Sequence, residues 1–424
     1  MPGRRVVITG MAVLTALGSD LKSFWHSLCD GRSGIGPIDL FDTSDYKTRF
    51  GGQIKDFDST PIIDARDQKR LDRFAKFAVV AAAHAVDDSG IDFGAENPSR
   101  AGVIIGTGVG GLWEIEDAHK KLARGPDRLS PIMIPRMMAN SAPGELSKRY
   151  GIQGPTWAVS TACASASNAI GDAFRAIQRG DVDIMLTGGS EAAITPLSLG
   201  GFSAMRALSQ RNDTPTEASR PFSRDRDGFV LSEGAGIVIL EEYEHARARD
   251  AKIYAEILGF GSTSDAYHTV KPDPEGRGAA NAMRTALFDA GVTPGHIDYV
   301  NAHGTSTPPG DLAETVALKS VYKERATDGL SISSTKSQLG HLLGASGGVE
   351  TVVTVLSLYY GVLPPTINLN DPDPECNLDY VPHTAREIPA RYAMSNSFGF
   401  GGHNATMVLC ALDGIPRRYA QQAA

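Results

Sequence analysis

The segment His296-Ile297-Asp298-Tyr299-Val300-Asn301-Ala302-His303-Gly304-Thr305-Ser306-Thr307-Pro308 passes from a β-rich run into a loop of glycine, hydroxyls and proline. Ahead of it, Ala279 to Ala290 shows the apolar spacing of a helix and ends in the turn Gly291-Val292. The same order occurs earlier: helix Phe77 to Asp88, turn Ser89-Gly90-Ile91-Asp92, strand Gly102 to Gly106, loop Gly106-Thr107-Gly108-Val109-Gly110-Gly111. A second echo follows, because Cys163 to Arg179 with Gly180 matches Gly344 to Tyr360 with Gly361. Helix, glycine turn, strand and loop used twice predict a duplicated α/β protein. Its halves are expected at 1–250 and 251–424, joined between Glu242 and Ile257.

Working outward, strands are expected over Arg5 to Gly10, Ala101 to Gly106, Val182 to Gly188, Gly236 to Glu241, Ala255 to Gly259, Ile297 to Asn301 and Ala405 to Leu409. Helices are expected over Asp72 to Ser89, Cys163 to Arg179, Gly276 to Ala290, Asp311 to Tyr322 and Gly347 to Tyr360. Strands this apolar are expected to be buried on both faces. A chain of 424 residues, 42% hydrophobic and 21% charged, has the make-up of an ordered globular protein of two or three packed units. Its net charge of −8 with interspersed signs argues against a general nucleic-acid binder. No apolar run reaches membrane-spanning length, and the run after Arg4-Arg5 is too short for a signal segment, so a cytoplasmic protein is expected.

Four cysteines are scattered without CxxC or His/Cys ligand spacing. Cys29, Cys376 and Cys410 read as small apolar residues in a reducing compartment. Cys163 differs: it lies among small side chains in Val159-Ser160-Thr161-Ala162-Cys163-Ala164-Ser165, between the expected strand Pro155 to Ser160 and a helix. A helix N-terminus favours thiolate over thiol, which suits a nucleophile, although a cysteine in a tight helix crossing fits the same stretch. Two histidines follow strands in the second half, His303 in the loop quoted above and His341 in Lys336-Ser337-Gln338-Leu339-Gly340-His341. Either alone reads as a structural histidine; together with Cys163 at the equivalent exit they suggest a site. In Ser395-Asn396-Ser397-Phe398-Gly399-Phe400-Gly401-Gly402-His403-Asn404 the glycines can aim N–H groups at a ligand, and the same residues also read as a β-turn before the last strand. The glycine loops carry no GK[ST] and no acidic ribose partner, so no nucleotide cofactor is expected.

In this order, Thr161-Ala162-Cys163-Ala164-Ser165, His303-Gly304-Thr305-Ser306-Thr307 with Asp311 and Glu314, Lys336 to His341, and the terminal glycine–phenylalanine turn resemble the β-ketoacyl-[acyl-carrier-protein] synthases over nearly the whole chain. The type II elongating synthases of bacterial fatty acid synthesis are the most similar. The resemblance implies the thiolase fold, a five-layered αβαβα sandwich, and a C2 homodimer with Ala101 to Gly111 and Pro155 to Ser160 at its interface. It implies decarboxylative Claisen condensation of an acyl thioester with malonyl thioester. Both substrates would arrive on the phosphopantetheine of acyl carrier protein, and no cofactor would be required.

It also implies roles. Cys163 would take the acyl chain, the N–H groups of Cys163 and Phe400 would form an oxyanion hole, and His303 and His341 would donate to the enolate oxygen. Lys336 would hold the charge around His341 and Glu350, and Phe400 would be a gate. Thr305 and Thr307 would bind the phosphopantetheine arm, with Val109, Phe202 and Phe398 contacting substrate. Arg66, Lys69, Arg70 and Arg206, joined by Arg124 and Arg128, would dock the carrier protein. A Na+ or K+ would sit at Asn301, Glu350, Ser395 and Asn396. His403 stands where relatives often carry threonine and is not counted as a third catalytic histidine.

A biosynthetic thiolase would need a second cysteine in a C-terminal CxG motif, which neither Asn396 to Gly401 nor Cys410-Ala411-Leu412 supplies. A chain-length factor would lack the nucleophile. The catalytic ketosynthase subunit of a type II polyketide system carries the same constellation and remains the rival reading.

Overall fold

Strand β1 (Val6–Leu14) is buried along its whole length and sits at the middle of the protein's main sheet. The structure, a computed structural model, describes residues 3–412. Met1, Pro2 and residues 413–424, the outer ends of the two expected halves, lie outside the described residues. The other strands are β2 (Ala101–Gly106), β3 (Thr156–Val159), β4 (Ile184–Glu191), β5 (Gly234–Glu242), β6 (Ala255–Ser264), β7 (Tyr299–Asn301), β8 (Ser331–Ser333), β9 (Tyr392–Gly399) and β10 (His403–Cys410). Their order across the sheet is β8-β7-β9-β10-β6-β1-β5-β4-β2-β3.

The duplication is explicit in that order. On one side β2 runs parallel to β3 and β4, while β4 is antiparallel to β5 and β5 to β1. On the other β7 runs parallel to β8 and β9, β9 is antiparallel to β10, and β10 to β6. Each strand of the first set thus has its counterpart in the second. The two sets are hydrogen-bonded through Val6, Val7 and Ile8 of β1, which pair with Ile257, Glu256 and Ala255 of β6.

Beyond this seam the two sets face each other across helices. Helices α2 (Ser165–Arg179) and α5 (Ser346–Tyr360) pack against strands of both sets and against each other. Helix α1 (Arg73–Ser89) covers the outer face of β1, β5 and β4, and α3 (Arg277–Ala290) covers β6 and β10 with α4 (Pro308–Tyr322) beside it. The result is the five-layered αβαβα arrangement of the thiolase fold, with one core under α1, one around α2 and α5, and one under α3 and α4. Asp72 caps α1 by accepting from the Phe74 N–H, and the left-handed glycines Gly90, Gly180, Gly291 and Gly361 end α1, α2, α3 and α5.

Several elements lie outside the sequence reading, among them β8 and the helices Leu21–Cys29, Leu112–Leu122 and Ser141–Tyr150; the departure nearest the terminal turn is a strand. Tyr392 to Gly399 is a full strand, and the turn is confined to Phe400, Gly401 and Gly402. The segment has no β-branched residue to mark it. Two of its polar side chains are satisfied by distant partners, Ser397 by Ser167 of α2 at 2.8 Å and Asn396 by Thr406 of β10 at 2.9 Å, so tertiary contacts override the weak strand propensity.

The inner layer tolerates little extra volume. At Gly106, the end of β2, an added Cβ would lie 2.4 Å from the Ala166 nitrogen and the Ser165 carbonyl carbon at the start of α2. Gly106→Ala is therefore expected to cost about 1–3 kcal/mol by overpacking, read as a lower denaturant midpoint with an unchanged m-value.

Candidate active site

Cys163 occupies the turn between β3 and α2, and its neighbours explain that turn. Ala162 has φ of +50°, a left-handed value unusual for a residue with a Cβ. The Thr161 N–H donates to Ser165 Oγ at 2.9 Å and Ser165 Oγ donates to the Ala162 carbonyl at 2.6 Å, holding the conformation. The small side chains noted in the sequence allow the terminal hairpin to approach. A Cβ on Gly399 would fall 2.7 Å from the Thr161 carbonyl and 3.0 Å from the Cys163 nitrogen.

The expectation of a thiolate is corrected here. Burial pushes the Cys163 thiol up to about 11, against the opposing pull of the Lys336 charge and the backbone N–H groups of Phe400 and Cys163. Desolvation outweighs the helix terminus. The resting group is a thiol, 3.0 Å from His341 Nε2. The other cysteines are free as well, and burial raises Cys29 and Cys410 to about 12 and Cys376 to about 11, as packed side chains should be.

His303 follows β7 in a loop that two buried carboxylates of α4 fix in place. Glu314 accepts from the His303 and Gly304 N–H groups at 2.9 and 2.8 Å, and Asp311 accepts from the Ser306 and Phe222 N–H groups at 3.1 and 2.9 Å. Gly304 and Ser306 both lie at positive φ. His341 follows the short helix Lys336–Leu339, and its Nδ1 lies 2.9 Å from Ser346 Oγ. The two rings are 5.4 Å apart and nearly perpendicular. Burial first, then the Lys336 charge, holds both imidazoles well below the usual histidine range, so both are neutral.

Lys336 pairs with Glu350 in a short buried contact, as expected, but its second neighbour is His303, with Nζ 3.4 Å from Nδ1, rather than His341. An ammonium only donates, which places the His303 proton on Nε2. Ser346 Oγ can accept from or donate to His341 Nδ1, so His341 Nε2 can be an acceptor toward the Cys163 thiol or, when Ser346 donates, an N–H donor. Two neutral N–H groups are then available to one acceptor.

Val109, Phe202, Thr305, Thr307, Phe398 and Phe400 line, together with Cys163, His303 and His341, one cavity of about 190 Å³. The Thr305 and Thr307 hydroxyls are 2.9 Å apart. Phe400 sits half-buried at the hairpin tip, which the Gly401 N–H ties to the Thr269 carbonyl at 2.7 Å and the Gly402 carbonyl ties to the Asp265 N–H at 2.9 Å. His403 is exposed and does not line the cavity. Arg66, Lys69, Arg70 and Arg206 are all exposed, the first three on or just after the short helix Ala65–Gln68 and Arg206 beyond the helix Pro196–Ala204; Arg124 and Arg128 are exposed too.

The proposed cation ligands divide. Asn301 Oδ1, Glu350 Oε2 and Ser395 Oγ are buried without a hydrogen-bond partner. Asn301 and Ser395 are directly paired on β7 and β9. Three orphaned oxygens are the donor set a hard monovalent ion takes, so these residues fit it. Asn396 points to the other face of β9, where its amide donates to Glu314 and accepts from Thr406, so its side chain is not a fourth ligand.

Sequence reasoning missed two groups. Ser346 orients His341. Glu191, fully buried at the end of β4, accepts from the Gly108, Val109 and Gly344 N–H groups at 2.6, 3.3 and 3.0 Å and from Thr107 Oγ1 at 3.0 Å. It thereby clamps the loop carrying Val109 to the segment carrying Leu343, two walls of the cavity. The signal was a charged residue closing an apolar run that the sequence reading ended at Gly188.

A duplicated five-layered fold with a buried thiol and two histidines drawn from opposite halves into one cavity defines a thiolase-fold protein. Residues 3–246 match the Beta-ketoacyl synthase, N-terminal domain, and residues 254–370 the Beta-ketoacyl synthase, C-terminal domain. The chain belongs to the β-ketoacyl synthase family. It is 53% identical over 405 residues to a 3-oxoacyl-[acyl-carrier-protein] synthase 2 of Synechocystis sp., covering 95% of this chain and 97% of that one. It is 49% identical to the protein of the same description from Vibrio harveyi, covering 96% and 99%. Among solved structures, a Beta-ketoacyl synthase from Burkholderia phymatum superposes with a TM-score of 0.88 at 36% identity, over 96% of this chain and all of that one. A type II polyketide ketosynthase solved with its acyl-carrier protein superposes with a TM-score of 0.90 at 35% identity, over 97% and 100%.

Glu191→Gln turns one acceptor oxygen into a donor that faces N–H groups. The variant is expected to lose about 1–3 kcal/mol of stability, measured as a shifted denaturant midpoint.

Proposed function

We infer that this chain condenses an acyl thioester carried on Cys163 with malonyl-acyl-carrier-protein, releasing CO2 and giving 3-oxoacyl-acyl-carrier-protein in fatty acid elongation. The observation that carries this reading is the Cys163 thiol and one ring nitrogen from each of His303 and His341 lying within 4.8 Å of one another. The fatty-acid reading is favoured over the polyketide one because the relatives at about half identity are 3-oxoacyl-[acyl-carrier-protein] synthases, whereas the polyketide ketosynthase shares 35%.

The steps follow from the groups present. His341 Nε2 would take the Cys163 proton as the sulfur attacks the acyl thioester and return it to the departing carrier-protein thiolate, so the nucleophile is ionised only when needed and His341 is neutral again for the second step. The Cys163 and Phe400 N–H groups, which pull the thiol pKa down against its burial, would stabilise the tetrahedral oxyanion. After malonyl thioester enters, the neutral N–H groups of His303 and His341 would bind the enolate oxygen left by CO2, and the enolate carbon attacks the acyl-Cys163 carbonyl. Lys336, held by Glu350, would fix the His303 tautomer. Thr305 and Thr307 would hold the phosphopantetheine arm, while Val109, Phe202 and Phe398 would contact the acyl chain. The hairpin tip at Phe400, whose glycines Gly401 and Gly402 lie at positive φ, would open between the two half-reactions.

A Na+ or K+ at Asn301, Glu350 and Ser395 would neutralise the second Glu350 oxygen and stiffen β7 against β9. The residues 1–250 and 251–424 would act as two halves around this site. Edge strand β3, with Trp157 38% exposed, supports a C2 homodimer that continues the sheet. The exposed Arg66, Lys69, Arg70 and Arg206 would dock an acidic carrier protein. Among the described residues no helix is long and apolar enough to cross a membrane; we assign the protein to the cytoplasm with its carrier protein.

Incubation with acyl- and malonyl-acyl-carrier-protein, followed by mass spectrometry, tests the reading. Acyl groups should load on Cys163, and Cys163→Ala should abolish loading and condensation. His303→Ala should slow malonyl decarboxylation by about 10²–10³-fold while leaving acyl loading measurable, the usual cost of one lost oxyanion donor. Condensation by the Cys163→Ala protein would refute the assignment.

A further inference from the structure

The groups that meet in the cavity also satisfy the chemistry of a different ligand. Cys163, His303 and His341 each present one donor atom, all within 4.8 Å of one another, and all three residues are buried. In a tetrahedral zinc site with Zn–S of about 2.3 Å and Zn–N of about 2.0–2.1 Å, ligand atoms lie roughly 3.3–3.6 Å apart. Zinc binding would open the Cys163 to His341 distance of 3.0 Å slightly and close the wider separations. Two neutral imidazoles and one thiol are borderline-soft donors that prefer Zn2+ to Mg2+ or Ca2+.

The surroundings match as well. His341 keeps its second ring nitrogen on Ser346, the outer hydrogen bond that metal-bound histidines characteristically make. The cavity supplies an open fourth position for water, so the site is complete with three protein ligands. One neighbour opposes the ion: the Lys336 ammonium, 3.4 Å from His303 Nδ1, repels it and favours the wrong tautomer, although Glu350 neutralises much of that charge. We propose that Cys163, His303 and His341 form a reversible Zn2+ site in the free-thiol protein. Binding breaks the Cys163 S–H bond, forms S–Zn, and releases the proton to solvent without any change of oxidation state. A covalent group on the sulfur removes the anionic ligand, so the thiol-modified protein no longer takes the ion.

The proposal rests on ligand geometry and is independent of the condensation reaction. The full-length protein is titrated with Zn2+ by calorimetry and with Co2+ by absorption spectroscopy, which reports thiolate-to-cobalt charge transfer. One equivalent of Zn2+ and a charge-transfer band are expected for the unmodified protein. Both should be lost in Cys163→Ala and in protein alkylated at Cys163, a folded control should the variant misfold. Ser346→Ala, which removes the outer hydrogen bond, is expected to weaken Zn2+ about 10-fold or more. A missing cobalt band in the unmodified protein, or Zn2+ binding unchanged after alkylation of Cys163, would overturn the site.

Discussion

Desolvation is the interaction on which the centre of this protein depends. Cys163, His303, His341, Lys336, Glu350, Glu191 and Glu314 are all removed from water, and each ionisable group must find its compensation inside the fold. The solutions differ by group. Lys336 and Glu350 neutralise each other; Glu314 and Glu191 are wrapped by backbone N–H groups; the imidazoles and the thiol stay uncharged. The outcome is a cavity whose reacting groups are neutral at rest, so that charge created during reaction meets oriented donors rather than water.

That arrangement requires backbones to come close. The duplicated sheets contribute Cys163 from the first half and His303 and His341 from the second, and the two sets of strands meet these groups through α2 and α5. Bulk at Gly106 or Gly399 would separate the helix start from β2 or from the terminal hairpin. Small residues here are the geometrical condition for bringing a sulfur and two imidazoles together from distant parts of the chain.

Much of this was legible in the sequence. The helix, turn, strand and loop order revealed the duplication because hydrophobic period and glycine placement are local signals, and the boundaries of β2, α1 and α5 agree with them closely. Cys163, His303 and His341 stood at strand exits, where side chains reach a site. What escaped notice depended on partners distant in sequence. Glu191 lay beyond the strand expected to end at Gly188, Ser346 lay just before the helix expected from Gly347, and Ser395 to Asn404 read as a β-turn, since serine and asparagine declare a buried strand only through their tertiary partners. The same limit explains the thiol: its helix terminus is visible in sequence, but the desolvation that outweighs it is not.

The seam at β1 has a consequence for biosynthesis. Strand β1 pairs with β5 and, through Val6, Val7 and Ile8, with β6, both made more than 200 residues after it. Its closing contacts are among the longest-range in the molecule, so loop-closure entropy sets them late. Strand β1 must therefore wait, apolar on both faces, until Ala255 to Ile257 has emerged, and during that interval it needs shielding from aggregation.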